Sequence, residues 1–225
     1  MNSQAYRNKP AVYFDHARSE VEPLLPAHAA QVLEVGCGRG ATLQWLKASG
    51  RCDRTVGIEL FERAAADARS VVDEVHVGNA EALVQHAWPP GTFDLVLCLD
   101  VLEHLVDPWA FMGQVQRLLK PGGLLVASIP NVRHARVVLP LLLQGRWQYE
   151  DAGQLDRTHL RFFTRESALQ LMQRPTTAAG GGLKLVRWLR RMPPLRSRSG
   201  LINLASMGLL QDFLAMSYLI ASRRV

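Results

Sequence analysis

Five short apolar segments alternate with segments of helical spacing between residues 30 and 130 of this 225-residue chain. The apolar segments are QVLEVGC, RTVGIEL, EVHVGNA, TFDLVLCLD and GLLVASIP. Short runs rich in leucine and β-branched residues are typical of strands, and a fully apolar run such as LVLCL in the fourth segment is typical of a strand buried on both faces. The alternation predicts an α/β fold: a doubly wound, Rossmann-like and mostly parallel sheet with right-handed crossovers.

The rhythm changes after Asn131. The segment RHARVVLPLLLQG has helical spacing interrupted by Pro140, and TRESALQLMQ predicts a helix with Thr164 as its N-cap. LKLVRWLRRM and FLAMSYLIASRR predict two terminal strands, an antiparallel pair that completes a seven-stranded sheet. PTTAAGGG is predicted to be a flexible connection, and PPLRSRSG a loop between the two strands.

We interpret residues 1–225 as a single domain with three parts. Residues 10–132 form a cofactor-binding core, and the residues before them are expected to be loosely ordered. Ligands of such sheets lie outside the carboxyl ends of the strands, so the chain after strand five passes over the pocket. Residues 133–163, called here the insert, are therefore expected to be a lid that recognises the substrate, and residues 164–225 to supply C-terminal helices and closing strands.

Composition excludes several classes of protein. No window holds 18 uninterrupted apolar residues, so no membrane span is predicted, and the N-terminus lacks the apolar region of a secretory signal. Cys37, Cys52 and Cys98 show neither paired nor CxxC spacing. They are interpreted as reduced thiols of a cytoplasmic protein, with no disulfide framework and no metal site.

Charge is distributed unevenly along the chain. Residues 1–132 contain 11 Lys and Arg against 15 Asp and Glu, whereas residues 133–225 contain 15 against 5. A basic half indicates an anionic partner, which could be a phosphorylated substrate, a membrane surface or nucleic acid, or else a solvated face with no partner.

The segment LEVGCGRGA is the strongest single motif, because a predicted strand there ends in glycines that lead directly into a helix. Glycines let the backbone turn sharply and approach a ligand closely. Glu59 follows Gly40 by 19 residues, at the end of the second strand, where a carboxylate can accept both hydroxyls of a ribose. The motif also satisfies the dinucleotide pattern G-x-G-x-x-A, so an NAD-dependent oxidoreductase remains a competing interpretation.

Five segments in the right order distinguish these alternatives. VLEVGCGRG, VGIEL, VGNAEAL, FDLVLCLDVLEHLVDP and LLKPGGLLVASIPN resemble the successive motifs of class I S-adenosylmethionine-dependent methyltransferases over residues 32–131. GRWQYEDAGQLDRTHLRFFT is similar to a segment of bacterial methyltransferases associated with cell-surface polysaccharide synthesis. The ubiquinone-type O-methyltransferases are more distant relatives. The resemblance implies S-adenosyl-L-methionine as cofactor, with S-adenosyl-L-homocysteine as product.

The resemblance also implies which residues hold the cofactor. Arg18 is expected to pair with its carboxylate, Glu34 to reach its amino-acid end, and Glu59 to bind the ribose. The other implied contacts line the methionine portion, flank the adenine or offer a backbone carbonyl to the ammonium group. They are Gly36, Cys37, Gly38, Gly40, Leu60, Asn79, Ala80, Glu81 and Leu99.

Histidines are the candidate catalytic groups, because a hydroxyl acceptor gains from a positioned base and imidazole serves near neutral pH. His159, in LDRTHLRFFT, is the first candidate and His134 the next within the insert. His104 is a second catalytic candidate, near the sulfonium or the acceptor. Each of these histidines has an alternative structural role. Asp100 either faces the sulfonium or caps the helical turn after it.

The function implied is methylation of a small-molecule acceptor, preferably a saccharide hydroxyl in cell-envelope glycan synthesis, with sugar- or lipid-linked acceptors expected. The alternatives are O-methylation of a quinone-type or other lipophilic molecule and a non-catalytic cofactor-binding regulator. Nucleic acid is an unlikely partner, because the Asn-Pro-Pro-Tyr/Phe type of tetrad that serves a flipped base is missing from the sequence. A peripheral membrane contact is compatible with the basic half, and the oligomeric state stays open.

Overall fold

The computed structural model describes residues 16–174, 181–194 and 197–225. Residues 10–15, the first part of the predicted core, therefore lie outside the described residues. So does most of the predicted flexible connection, residues 175–182. The strands are β1 Ala29–Val35, β2 Cys52–Glu59, β3 Glu74–Val77, β4 Phe93–Leu99, β5 Leu119–Pro130, β6 Leu183–Arg191 and β7 Ser217–Arg224. The α-helices are α1 Ala41–Ala48, α2 Glu62–Ala68, α3 Ala80–His86, α4 Pro108–Leu118, α5 Ala135–Gln144, α6 Arg165–Leu171, α7 Arg198–Ala205 and α8 Gln211–Leu214. Two 3₁₀ helices cover Ser19–Leu24 and Leu102–His104.

The seven strands form one sheet in the order β3-β2-β1-β4-β5-β7-β6. Strands β1 to β5 are mutually parallel, and β7 is antiparallel to both of its neighbours, β5 and β6. Strand β6 therefore runs in the same direction as β1 to β5. This confirms the predicted fold, a mostly parallel doubly wound sheet with an antiparallel strand at the C-terminal end. The carboxyl ends of β1 to β6 all meet at one edge of the sheet, called here the carboxyl edge.

The core has one layer on each face of the sheet. Alternate residues of the central strands contribute to different buried clusters: Leu33, Val96 and Leu125 to one, Val32 and Leu97 to the other. This division follows from the two-residue period of a strand, and it requires helices on both faces. The fully apolar segment of β4 is buried at nearly every position, as its composition predicts.

Helix α6 begins as predicted, since the Thr164 hydroxyl accepts from the Ser167 amide and the Ser167 hydroxyl accepts from the Thr164 amide. Other boundaries differ. Strand β5 starts at Leu119, directly after α4, so the Pro-Gly-Gly sequence at 121–123 lies inside the strand, where the pairing with β4 is irregular. The end of the predicted loop PPLRSRSG forms the start of α7, and Phe213 belongs to α8. The Phe213 error arises because short apolar runs do not distinguish helix from strand.

The segment between β5 and α6 contains α5 and an irregular stretch, residues 145–163. Pro140 lies within α5, which continues through it to Gln144. The Val132 amide donates to the Phe163 carbonyl at 3.0 Å, so the segment leaves and rejoins the sheet at one place. The Asn131 side chain donates to the carbonyls of Asp212 and Ala215, which fixes the β6–β7 connection beside it.

All three cysteines are buried thiols without a disulfide partner, in agreement with the sequence. Burial is the main reason that the pKa values of the Cys37 and Cys98 thiols are raised, so both stay protonated near neutral pH. In the described part of the chain, no helix is long and apolar enough to cross a membrane.

Gly57 generates the first prediction. A Cβ at this position in β2 would lie 2.5 Å from the Cys37 sulfur and 3.2 Å from its Cβ, because the glycine-rich turn after β1 packs against β2. We expect Gly57→Ala to lower the free energy of unfolding in urea by about 1–3 kcal/mol, the usual cost of overpacking a core.

The matched control is Gly113→Ala, in α4. A Cβ there meets Arg174 at an ordinary 3.5 Å, and alanine is favoured over glycine in a helix. That variant is expected to be neutral or more stable by up to about 1 kcal/mol. If the new Cβ meets Cys37, adding Cys37→Ala to Gly57→Ala should restore part of the lost stability. Strict additivity of the two changes would contradict this contact.

Candidate functional site

A cavity of about 230 Å³ opens at the carboxyl edge, outside the ends of β1 to β4. Eleven of the twelve residues predicted to hold the cofactor line it. They are Arg18, Glu34, Gly36, Cys37, Gly38, Glu59, Leu60, Asn79, Ala80, Glu81 and Leu99. His104 lines it as well, whereas Gly40 and His159 do not. Four strand ends thus converge on one cavity at the point where the sheet order reverses, the usual ligand site of a doubly wound sheet.

The glycine-rich turn is held by the end of β2. The amides of Gly36 and Cys37 donate to the Ile58 carbonyl at 2.8 and 3.0 Å, and the Gly38 amide donates to Glu59 Oε2 at 2.9 Å. These three backbone N–H groups of the turn are therefore satisfied within the protein. Positive φ angles at Gly36 and Gly38, 71° and 55°, explain why glycine is needed there.

Gly40 serves packing at the start of α1. It precedes the helix with a φ of 82°, and a Cβ there would lie 2.5 Å from a methyl carbon of Val72. The glycine lets α1 approach the α2–β3 connection closely. Gly40 does not line the cavity, and its contact with the cofactor stays a prediction.

Glu34, in β1 just before the turn, is a buried acid at the cavity wall. Burial raises its pKa to about 8, opposed mainly by a hydrogen bond with Thr42. One of its oxygens, Oε2, is buried with no hydrogen-bond partner in the described structure. An unpartnered buried oxygen at a cavity wall is suited to a ligand that donates hydrogen bonds, such as an ammonium group.

Arg18 connects the N-terminal part of the described chain to the end of β4. Its guanidinium donates to Asp100 at 2.8 Å, to Glu20 at 2.6 Å and to the Ser128 hydroxyl at 3.3 Å. Asp100 also accepts from Ser128 and has a φ of 56°, which is rare for a residue with a side chain. The structure therefore excludes Asp100 as a helix cap, since the following 3₁₀ helix has no side-chain cap and its N-cap is Val101.

The predicted adenine side has a defined scaffold. Asn79 caps α3 by accepting from the Glu81 amide at 2.7 Å. The Glu81 carboxylate accepts from the amides of Val106 and Asp107, at 3.2 and 2.8 Å. Glu81 thereby joins the turn after β3 to the loop after β4, and it closes one side of the cavity.

His104 lies on the cavity wall and is 3% exposed. Its Nδ1 lies 3.1 Å from the Thr158 carbonyl oxygen and 3.2 Å from the Thr158 hydroxyl. Because a carbonyl oxygen can only accept, the neutral ring carries its proton on Nδ1, and Nε2 is the basic nitrogen. The insert thus fixes the tautomer of a histidine in the cavity wall.

His159 packs behind His104, with ring centroids 4.7 Å apart. Its Nδ1 lies 3.1 Å from the Gln154 carbonyl oxygen, and its Nε2 lies 3.9 Å from Glu103 Oε1. Burial, with a smaller effect from the charge of Asp100, raises the pKa of Glu103 well above its usual value. The structural interpretation of His159, a ring bonded to a neighbouring carbonyl, fits this position.

Glu103, His104 and His159 form the one group that could hold a metal ion among residues 16–174, 181–194 and 197–225. One ligand atom from each lies within 4.8 Å of the others. The cluster is buried, and the sequence-based prediction of no metal at the site stays a prediction. His134, the other histidine of the insert, accepts from the Arg136 amide and caps α5.

Some cavity residues were missed by sequence reasoning. Thr42, Phe61 and Leu105 line the cavity, and Gly57 makes room for the turn behind it. Thr42 had a usable signal, since it stands in the first turn of α1 directly after the glycines. The others depend on which strands are neighbours, which no local pattern reveals.

Comparisons with known proteins agree with this geometry. A protein-family model described as a methyltransferase domain matches residues 9–175. The chain belongs to the class I S-adenosylmethionine-dependent methyltransferases. This removes the NAD-dependent oxidoreductase interpretation and confirms the enzyme class and the cofactor inferred from the five motifs.

Relatives of this methyltransferase include two proteins named ubiquinone biosynthesis O-methyltransferase. One, from Aromatoleum aromaticum, is 33% identical over 53% of this chain and 56% of its own length. Another, from Thiobacillus denitrificans, is 31% identical over 67% of this chain and 68% of its own length. The match with the first thus spans little more than half of that relative.

Solved structures share the fold at low sequence identity. An S-adenosylmethionine-dependent methyltransferase from Mesorhizobium loti has a TM-score of 0.63 at 18% identity, covering 94% of this chain and all of its own. A second, from Archaeoglobus fulgidus, has a TM-score of 0.60 at 18% identity, covering 98% and 97%. These likenesses support the fold.

Glu34 generates a prediction about pH. Its pKa is about 8 in the folded chain and near 4.5 without burial, so between those values the folded chain holds a proton that the unfolded chain releases. The stability that depends on this proton is complete below about pH 4.5 and is lost as pH rises through about 8. We expect Glu34→Gln to flatten the fall in the free energy of unfolding over this range, by at most about 1.4 kcal/mol per pH unit. Equal slopes for the two proteins in urea titrations would contradict the assignment.

Glu59 generates a prediction about the cofactor. Its two oxygens accept from the amides of Gly38 and Phe61, and a carboxylate retains further lone pairs for a ribose. Glu59→Gln replaces one acceptor by a donor, so we expect the affinity for S-adenosylhomocysteine to fall by about tenfold to a hundredfold in calorimetry. Glu62→Gln, an exposed acid of the adjoining helix, is the control and should bind normally. Normal binding by Glu59→Gln would remove the ribose role.

Proposed function

We propose that this methyltransferase transfers the methyl group to a hydroxyl of a lipophilic, quinone-type small molecule. The observation that carries the proposal is the 31–33% identity to ubiquinone biosynthesis O-methyltransferases. The saccharide acceptor expected from the insert sequence has no counterpart among these relatives, so the alternative acceptor class is preferred. A cytoplasmic location suits a cofactor made in that compartment and belongs to the same proposal.

The cavity wall beside His104 supports an apolar acceptor. Val101, Leu105 and Val106 line the cavity next to the histidine, beside Gly36 and Glu81. A ligand there would meet acidic groups suited to the cofactor and apolar side chains suited to an aromatic ring. Residues 133–163 are proposed to complete the acceptor side as a lid.

The reaction requires alignment more than chemical activation. Bound S-adenosylmethionine supplies a methyl group on a sulfonium, which is a good leaving group. Arg18 and Glu34 would orient its amino-acid end, and Glu59 its ribose, so that the acceptor oxygen approaches in line. The cofactor would supply the methyl group and keep the electron pair of the carbon–sulfur bond as a neutral thioether, and the acceptor oxygen would give up its proton.

His104 is proposed to take the proton of the acceptor hydroxyl. Its basic Nε2 belongs to a ring at the cavity wall, and the Thr158 carbonyl holds the tautomer needed for a general base. His159 is a positioning residue in this proposal, because it contacts the His104 ring and does not line the cavity.

Replacing the base gives a direct test. We expect His104→Gln to lower kcat by about a hundredfold or more with a phenolic acceptor, while S-adenosylhomocysteine still binds in calorimetry. The loss should shrink with nitro-substituted phenols, since a more acidic hydroxyl depends less on a base. A loss that is equal for all phenols would exclude the proton-transfer role.

The matched control is His86→Gln, at the end of α3 and away from the cavity, which should keep full activity. Dialysis against a chelator is expected to leave the wild-type rate unchanged, and a rate restored only by added divalent metal would instead assign the Glu103 cluster to an ion. Turnover of nucleotide sugars with no turnover of hydroxylated quinone precursors would reverse the choice of acceptor.

A further inference from the structure

Helix α5 exposes apolar side chains where a surface helix normally exposes polar ones. Its buried side chain is Val137, whereas Leu142 and Leu143 are 75% and 73% exposed, and Leu139 and Leu141 are exposed as well. A helix packed on a domain normally buries its apolar stripe and presents polar residues to water. Large contiguous apolar surface of this kind marks an interaction site.

A second exposed apolar segment lies in the β6–β7 connection. Met207 and Leu209 are 88% and 83% exposed in the turn between α7 and α8, and Leu201 and Leu204 on α7 are exposed too. The two segments belong to different connections and have no sequence similarity, yet each presents several large side chains to solvent.

The topology brings both segments to the carboxyl edge. Helix α5 follows the end of β5, and the β6–β7 connection starts at the end of β6, which runs parallel to β5. The Asn131 side chain bonds the Asp212 and Ala215 carbonyls, and the Arg133 guanidinium lies 5.0 Å from the centre of the Phe213 ring. Val106, which is exposed and lines the cavity, adds apolar surface at the rim of the site.

Charge around α5 has one sign. Residues 133–149 contain three arginines and no Asp or Glu. Beside the second segment the cations at the end of β6 are paired, since Arg190 donates to Asp212 and Arg191 lies 3.7 Å from Glu20. Arg136 and Arg146, at the two ends of α5, are exposed. Trp147 and Tyr149 follow directly and are partly exposed, and such amphipathic rings favour the boundary between water and lipid.

We propose that this face, formed by α5 with residues 145–149 and by residues 201–210, docks on the surface of an anionic lipid bilayer. Leucine and methionine side chains enter the acyl boundary while the arginines contact lipid phosphates. Two separate apolar projections suit a deformable bilayer, which requires no matching shape. Docking places the cavity rim against the membrane, where a lipophilic acceptor is concentrated. This inference goes beyond the proposed acceptor and does not depend on it.

Sedimentation with vesicles tests the proposal without any acceptor. The wild-type protein is expected to bind vesicles of phosphatidylglycerol mixed with phosphatidylcholine, and to bind phosphatidylcholine alone far more weakly. The double changes Leu142→Gln with Leu143→Gln, and Met207→Gln with Leu209→Gln, should each weaken binding on the order of tenfold or more. Arg136→Glu with Arg146→Glu should do the same and remove the salt dependence.

The matched control is Val225→Gln, a 55% exposed apolar residue beyond β7 at the opposite edge of the sheet, which should bind vesicles like the wild type. Unchanged melting temperatures and S-adenosylhomocysteine binding would show that the variants fold. Equal binding by all variants would overturn the proposal. So would a concentration-dependent dimer in ultracentrifugation that the leucine changes abolish, since the face would then belong to a second copy of the chain.

Discussion

The end of β2 holds the glycine-rich turn in place, and the geometry of the cavity depends on that attachment. Three consecutive amides, from Gly36 to Gly38, donate to the Ile58 carbonyl and the Glu59 carboxylate. Glu59 therefore fixes the wall of the site through the Gly38 amide, and the ribose contact predicted for it would be a second role.

Much of the cavity followed from the sequence because its parts are local. The glycines and Glu59 stand at strand ends, and parallel strand ends must meet at one edge, so their assembly was predictable from spacing. Glu34 was expected from the resemblance to the methyltransferases. Gly40 shows the limit of the same reasoning. Its place in the motif does not reveal whether a glycine faces the ligand or, as the clash with Val72 shows, makes room for a neighbouring helix.

A different reason explains why the contact between His104 and His159 could not be predicted. His104 and Thr158 are 54 positions apart, and their contact depends on the path of the insert through residues 145–163. The sequence favoured His159 as the base, because it stands in a polar aromatic segment. The structure places His159 behind His104, where its ring is hydrogen-bonded to the Gln154 carbonyl. This position fits a structural role better than that of a base.

Hydrogen bonds join the insert to the cavity wall. The amides of Leu160 and Arg161 donate to the Glu103 carbonyl, and the Arg161 guanidinium donates to the Val106 carbonyl at 2.5 Å. With the Thr158 contact, these bonds tie the orientation of His104 to the position of the insert. A displacement of the insert on acceptor binding would therefore reach the proposed base directly.

The order of the strands has a consequence for biosynthesis. Strand β7 is the last strand along the chain, yet it lies between β5 and β6 and is buried along most of its length. Until residues 217–224 leave the ribosome, the β5 edge has no partner and β6 has no sheet to join. The nascent chain therefore carries an open, apolar sheet edge from the completion of β5 at Pro130 until β7 emerges, the stage at which chaperones and unwanted strand pairing compete for it.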